Sequence, residues 1–200
     1  MTITAPGTTL HYEVHGLDHV SARRGGPLLV VVGSPMAAAE FAVIADAMAT
    51  DRTVVTVDPR GYGASTLDDP DSPSTPEIRA DDVVAVLDEL GADTSDVLGS
   101  SGGAVTGLAL VTNHPGRVRT LIAHEPPLLE LLPDAAALRA SSTRVVIGLG
   151  ETSATLLTDA TSRATAELLG CELAMFPGGH GGFIEAPAAF ADRLREVLGG

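Results

Sequence analysis

Asp96-Val97-Leu98-Gly99-Ser100-Ser101-Gly102-Gly103-Ala104-Val105 passes from a short apolar run into a buried stretch, Ala104 to Val111 (AVTGLALV), closed by Asn113-His114-Pro115. The join spells Gly-x-Ser-x-Gly. Strand end, turn of small residues, then helix is the order needed for a tight turn that thrusts a serine hydroxyl outward. The five-residue pattern alone is weak, because in a chain with 22 glycines it can arise as a plain glycine-rich loop. The flanking strand and helix decide for the turn and make Ser101 a candidate nucleophile.

Working outward, short apolar strands alternate with longer helices, the pattern of an α/β chain with a mostly parallel central sheet and helices on both faces. Leu28 to Val32 (LLVVV) is a continuous apolar run followed by Gly33-Ser34-Pro35 and a helix near Glu40 to Ala49. Thr53 to Val57 is the next strand, and a proline- and aspartate-rich loop then leads to a helix at Glu77 to Leu90. Beyond the serine turn the same reading gives strands at Val118 to Ala123, Arg144 to Leu149 and Glu172 to Phe176. Helical turns are expected around Leu128 to Arg139, and helices near Ser162 to Leu169 and Pro187 to Leu198. Thr9 to His15 alternates and reads as an antiparallel edge strand.

Composition narrows the function classes. Two hundred residues at 44% apolar suffice for one domain spanning residues 1–200, and no run of about 20 apolar residues crosses a membrane. The opening MTITAPGTTL has neither a basic start nor an apolar stretch, so a cytoplasmic location is expected. Cys171 is the single cysteine, which excludes an internal disulfide and a cysteine-built zinc site. A net charge of -14 repels nucleic acid and anionic lipid, and 3% aromatics offer no stacking platform for bases. Neither nucleic acid nor a membrane is an expected partner, and no metal site is visible. Gly61-x-Gly63 is too short a match for a dinucleotide loop, so no cofactor is implied.

Four motifs in order carry a family resemblance: Gly33-Ser34-Pro35, Asp58-Pro59-Arg60-Gly61-Tyr62-Gly63-Ala64-Ser65, the Ser101 turn, and Gly178-Gly179-His180-Gly181-Gly182-Phe183. Together they resemble the α/β-hydrolase superfamily over nearly the whole chain. The resemblance implies a cofactor-free serine hydrolase acting on a small-molecule acyl substrate, an ester, thioester or related bond, through a Ser-His-acid triad. It makes His180, in the loop after the last strand, the general base for Ser101. It also implies an oxyanion hole from the backbone N–H groups of Ser34 and Gly102, although the His-Gly usual at the first loop is Val32-Gly33 here. Asp58 and Arg60 fall in a segment that ties loops together in such proteins. His11, His15, His19, His114 and His124 are expected to be structural or solvated.

The acid is the open member. The family pattern places an aspartate three residues past a glycine after Arg144 to Leu149, and in Gly150-Glu151-Thr152-Ser153 that position is Ser153. A serine carries no charge to stabilise an imidazolium. Glu125, just after Val118 to Ala123, is the favoured substitute, and Glu151 is the alternative.

Most relatives insert a helical cap after the strand that ends near Ala123, whereas here only Glu125 to Ser142 separates two strands. A minimal or absent cap is therefore expected, whether natural or the result of a removed cap, with an open, weakly selective site lined by Pro35, Met36, Pro126 and Leu128. Uncovered apolar residues Leu128, Leu129, Leu131 and Leu132 suggest a homodimer. The serine at 153, the altered oxyanion loop and the missing cap also leave a second reading: a hydrolase-fold protein that binds a ligand or partner without turnover.

Overall fold

The computed structural model describes residues 1–16, 28–127 and 134–199. His19, Leu128, Leu129, Leu131 and Leu132, and with them the expected homodimer contact, lie outside the described residues. The first half runs β1 (Thr2–Ala5), β2 (Thr8–His15), β3 (Leu28–Val32), a 3-10 turn (Ala38–Phe41), α1 (Ala42–Met48), β4 (Thr53–Val57), β5 (Thr66–Leu67) and α2 (Pro76–Glu89). The second runs β6 (Ser95–Ser100), α3 (Gly102–Asn113), β7 (Val118–His124), α4 (Ala135–Ala140) and β8 (Arg144–Gly150). It closes with α5 (Leu157–Leu169), β9 (Glu172–Phe176), α6 (Gly182–Glu185) and α7 (Pro187–Gly199).

The sheet order is β1-β2-β4-β3-β6-β7-β8-β9, with β5 paired to β2. From β4 to β9 all neighbours are parallel; β1, β2 and β5 pair antiparallel. The LLVVV run of β3 is apolar throughout because both faces are covered: Leu28, Val30 and Val32 enter one core, Leu29 and Val31 the other. Helices α2 to α5 pack on the first face, while the 3-10 turn, α1, α6 and α7 pack on the second. All four phenylalanines, Phe41, Phe176, Phe183 and Phe190, are buried in the second core.

Thr9 to His15 is corrected from an edge strand to an interior one. β2 lies between β1 and β4, because the polar opening Thr2–Ala5 folds back on it through Gly7 at φ 75°. Its alternation reflects one buried and one half-buried face, not an edge. The helix expected near Glu40 to Ala49 begins as the 3-10 turn at Ala38, and α5 starts at Leu157 rather than Ser162. α2 has a readable start: Thr75 caps it by accepting from the Ile78 N–H, with Pro76 at the first helical position. α5 ends at Gly170, which takes the left-handed φ of 64° that stops a helix. Between β7 and β8 the described residues hold one six-residue helix, α4. No helix among the described residues is long and apolar enough to cross a membrane.

Candidate active site

The parallel strands end on one side of the sheet, where chemistry collects in such folds. Ser101 follows β6 directly and sits at φ 56°, ψ -121°, a strained conformation for a side chain with a Cβ. Its glycine neighbours permit this by close approach: a Cβ on Gly99 would meet the Gly103 carbonyl at 2.4 Å, and one on Gly103 the Val32 carbonyl at 2.1 Å. Ser101 stands at the N-terminus of α3, whose dipole favours developing negative charge.

Ser100 and His124 are register partners on β6 and β7, so Ser101 and Glu125 occupy adjacent strand ends. The Ser101 N–H donates to the His124 carbonyl at 2.9 Å. Glu125 is fully buried at φ 52° and is surrounded by donors. Its Oε2 accepts from His180 Nδ1 at 2.6 Å and from Thr158 Oγ1 at 2.6 Å. Its Oε1 accepts from the Gly150 N–H at 2.9 Å and from the Ser153 hydroxyl.

Burial by itself would raise the Glu125 carboxyl. The four hydrogen bonds outweigh it, His180 foremost, and hold the group down to about 2 from an ordinary 4.5. The same bond raises the His180 imidazole above its ordinary 6.5, against the opposing effect of burial. Nδ1 is engaged by Glu125, which leaves Nε2 as the nitrogen free to take a proton.

The loop carrying His180 is fixed from two sides. Gly179 backs onto Gly150 so closely that a Cβ on Gly150 would stand 2.7 Å from it, and the Gly179 N–H donates to Glu185 Oε2 at 3.0 Å. The Thr152 N–H donates to the Gly178 carbonyl at 3.0 Å.

Ser34 and Gly102 are brought together: a Cβ on Gly102 would meet the Ser34 carbonyl at 2.5 Å. Neither N–H finds an acceptor among the described residues. The Ser34 loop is anchored downstream by Asp58, which accepts from the Ala38 N–H at 2.6 Å, the Ala64 N–H at 2.7 Å and His11 at 3.0 Å. Arg60 pairs with buried Asp82 through Nε at 2.7 Å and Nη2 at 2.6 Å. Pro35 is exposed, Met36 is half-buried against the Phe41 core, and Pro126 is buried with its carbonyl accepting from Thr161 at 2.7 Å.

A family model described as alpha/beta hydrolase fold matches residues 26–174. The chain belongs to that family. YraK of Bacillus subtilis (strain 168), named an uncharacterized hydrolase, is 37% identical to this alpha/beta hydrolase over 132 residues, which are 66% of this chain and 46% of YraK. The chain thus spans less than half the length of that curated relative. An enol-lactonase from Burkholderia xenovorans LB400 superposes with a TM-score of 0.84 at 18% identity, covering 100% of each chain. A structure from a study of Nitrososphaera gargenis carboxylesterases gives 0.83 at 16% identity, covering 100% of this chain and 98% of its own. At such identities the likeness is one of fold.

Within this alpha/beta hydrolase the two candidate acids stand apart. Glu151 is exposed, and its only hydrogen bond among the described residues is its N–H to the Phe176 carbonyl at 2.9 Å. Sequence reasoning missed three members of the site: Ser153 as a donor, Thr158 and Glu185. Ser153 was visible only as the absence of an aspartate. Thr158 precedes the stretch with helical periodicity, and no local signal pairs it with a residue 33 positions away.

Proposed function

We propose that the chain is a cofactor-free serine hydrolase that cleaves an ester, thioester or related acyl bond. The observation that carries this reading is the buried Glu125 carboxylate bonded to His180 Nδ1 at 2.6 Å, one strand end from a serine at φ 56°. In this mechanism Ser101 Oγ attacks the acyl carbon while His180 Nε2 takes its proton. The oxyanion forms against the N–H groups of Ser34 and Gly102. The imidazolium, stabilised by Glu125, then protonates the leaving group as the bond to it breaks. Water, deprotonated by His180, attacks the acyl-serine, and collapse returns the proton to Ser101 and frees the acid. A carboxylate nucleophile forms an ester by attacking an alkyl carbon, as in a halide or an epoxide; a serine attacking an acyl carbon forms an acyl ester, the acyl-enzyme.

Treatment with a fluorophosphonate is expected to add the phosphonyl mass to Ser101, and p-nitrophenyl acetate is expected to give a burst of phenolate. Folded protein that takes no label and shows no turnover would mean binding without catalysis.

A further inference from the structure

Arg79 is half-buried and stands in no ion pair. Among the described residues every other arginine except the exposed Arg139 is paired with an Asp or Glu. Arg79 Nε donates to Thr106 Oγ1 at 3.1 Å, and Nη1 to the Ser74 carbonyl and to Ser74 Oγ at 3.2 Å. Nη2 makes no hydrogen bond among the described residues. The neighbouring acids are engaged elsewhere: Asp82 by Arg60, Asp58 by His11 and two backbone N–H groups, while Glu77 is exposed. Burial pulls the guanidinium below its ordinary range, opposed chiefly by Glu77 and Asp82, and an arginine keeps its charge through such a shift.

The placement of that charge is unfavourable in the resting protein. Arg79 is the fourth residue of α2, and Thr106, through which it reaches the next helix, donates to the Gly102 carbonyl at 3.2 Å in the first turn of α3. Helix starts carry partial positive charge, so a cation there is disfavoured unless an anion offsets it. Glu77 supplies one for α2, whereas α3 has no acidic residue in its first turn. In the mechanism above the missing anion appears during reaction, as the oxyanion at the Gly102 N–H. The cavity between Arg79, Thr106 and Gly33 measures about 20 Å³, room for a single water, so Arg79 lies behind the oxyanion loop without reaching a substrate.

We infer that Arg79 is a positioning residue of the oxyanion hole: through the Thr106 hydroxyl it fixes the first turn of α3, which carries the Gly102 N–H, and it holds a positive charge behind the hole. The inference rests on the serine-hydrolase reading above. Guanidinium, hydroxyl and carbonyl form a chain of donors aligned in one direction, in which each polarises the next. The charge acts more strongly here than at the surface because water is partly excluded. Since the oxyanion exists only during reaction, the effect belongs to kcat rather than KM.

Wild type is first tested for labelling at Ser101 by a fluorophosphonate, and four variants are then compared with it on p-nitrophenyl acetate. Arg79→Met is expected to lower kcat about tenfold to thirtyfold with KM within about twofold. The rate of Ser101 labelling is expected to fall by a similar factor, because the phosphonyl oxygen enters the same hole. Arg79→Lys keeps the charge without the fork and is expected to stay within about threefold of wild type. Thr106→Val breaks the relay and is expected to cost about threefold to fivefold in kcat. Ser74→Ala is expected to stay within about twofold, since the Ser74 carbonyl still accepts from Arg79.

Equal losses in Arg79→Met and Arg79→Lys, with a lowered urea midpoint in both, would make Arg79 a tie between the Ser74 loop and α3 and overturn the inference. A raised KM with kcat unchanged would place Arg79 against the substrate and overturn it likewise. Where Arg79→Met does not fold, a loss above about tenfold in Arg79→Lys or no loss in Thr106→Val has the same consequence. Wild-type labelling with unchanged rates in all four variants removes the role of Arg79 and leaves the triad reading intact. Absence of wild-type labelling removes both.

Discussion

His124 and Glu125 are consecutive, both fully buried, and treated in opposite ways. Glu125 enters a nest of donors from β8, α5 and the His180 loop and stays charged. His124 enters an aromatic box: Phe190 at 5.4 Å between ring centroids, Phe176 at 5.7 Å and Phe183 at 6.5 Å, all edge-on. Neither of its ring nitrogens has a hydrogen-bond partner among the described residues, and burial pushes the imidazole down to about 4 from 6.5, outweighing the attraction of Glu125. Equal burial therefore says nothing about charge. Available partners decide it, and here the peptide between the two residues separates a polar compartment on one side from an apolar one on the other.

The largest test of this contrast is Glu125→Gln, which keeps the shape and removes the charge. Turnover is expected to fall by about 10⁴-fold with little change in KM, the size of the loss when a serine triad is deprived of its acid; a loss under about tenfold would mean that the charge is not what the nest protects. Phe190→Ala attacks the other compartment. It opens a cavity beside His124, Phe176 and Phe183, with an expected loss of about 3–5 kcal/mol in urea unfolding and wild-type chemistry per folded molecule.

The pH dependence of stability sharpens the comparison, because the two residues act in separate windows. The unfolded chain protonates position 124 near 6.5 and the folded protein only near 4, so stability falls as the pH drops through that interval. The expected loss is on the order of 3 kcal/mol, read as the urea midpoint against pH. Glu125 contributes above 4.5 and loses its contribution as the pH falls from there toward about 2. His124→Leu is expected to flatten the upper window and leave the lower one in place; an unchanged upper window would assign the effect to another group. The smallest expected effect is that of Glu151→Gln. An exposed carboxylate acts only through screened charge, so kcat/KM is expected to stay within about twofold, and a larger loss than that of Glu125→Gln would move the acid to the later strand.

Much of this arrangement is legible in the chain itself. Gly99-Ser100-Ser101-Gly102-Gly103 between an apolar strand and an apolar helix fixes the turn, since its glycines are required by contacts with the residues that immediately follow and with β3. The all-apolar β3 announces a sheet covered on both faces, because only there does a strand have no polar side. Local chemistry sufficed for these, as it did for Thr75-Pro76 at the start of α2.

What the sequence determined by itself is thus the set of local conformations: where strands end, which serine is thrust forward, and that a histidine follows the last strand. The tertiary structure alone decided which groups meet. Glu125 and Glu151 are equivalent as letters, each a glutamate at a strand end. Only strand order and register bring the first under Gly150, Ser153, Thr158 and His180 while leaving the second in solvent. The same holds for β2, whose alternation gave its pairing type but not its place inside the sheet. Periodicity is a property of neighbours along the chain, whereas ionisation and sheet position depend on neighbours in space, and these come from residues about 25 to 55 positions away.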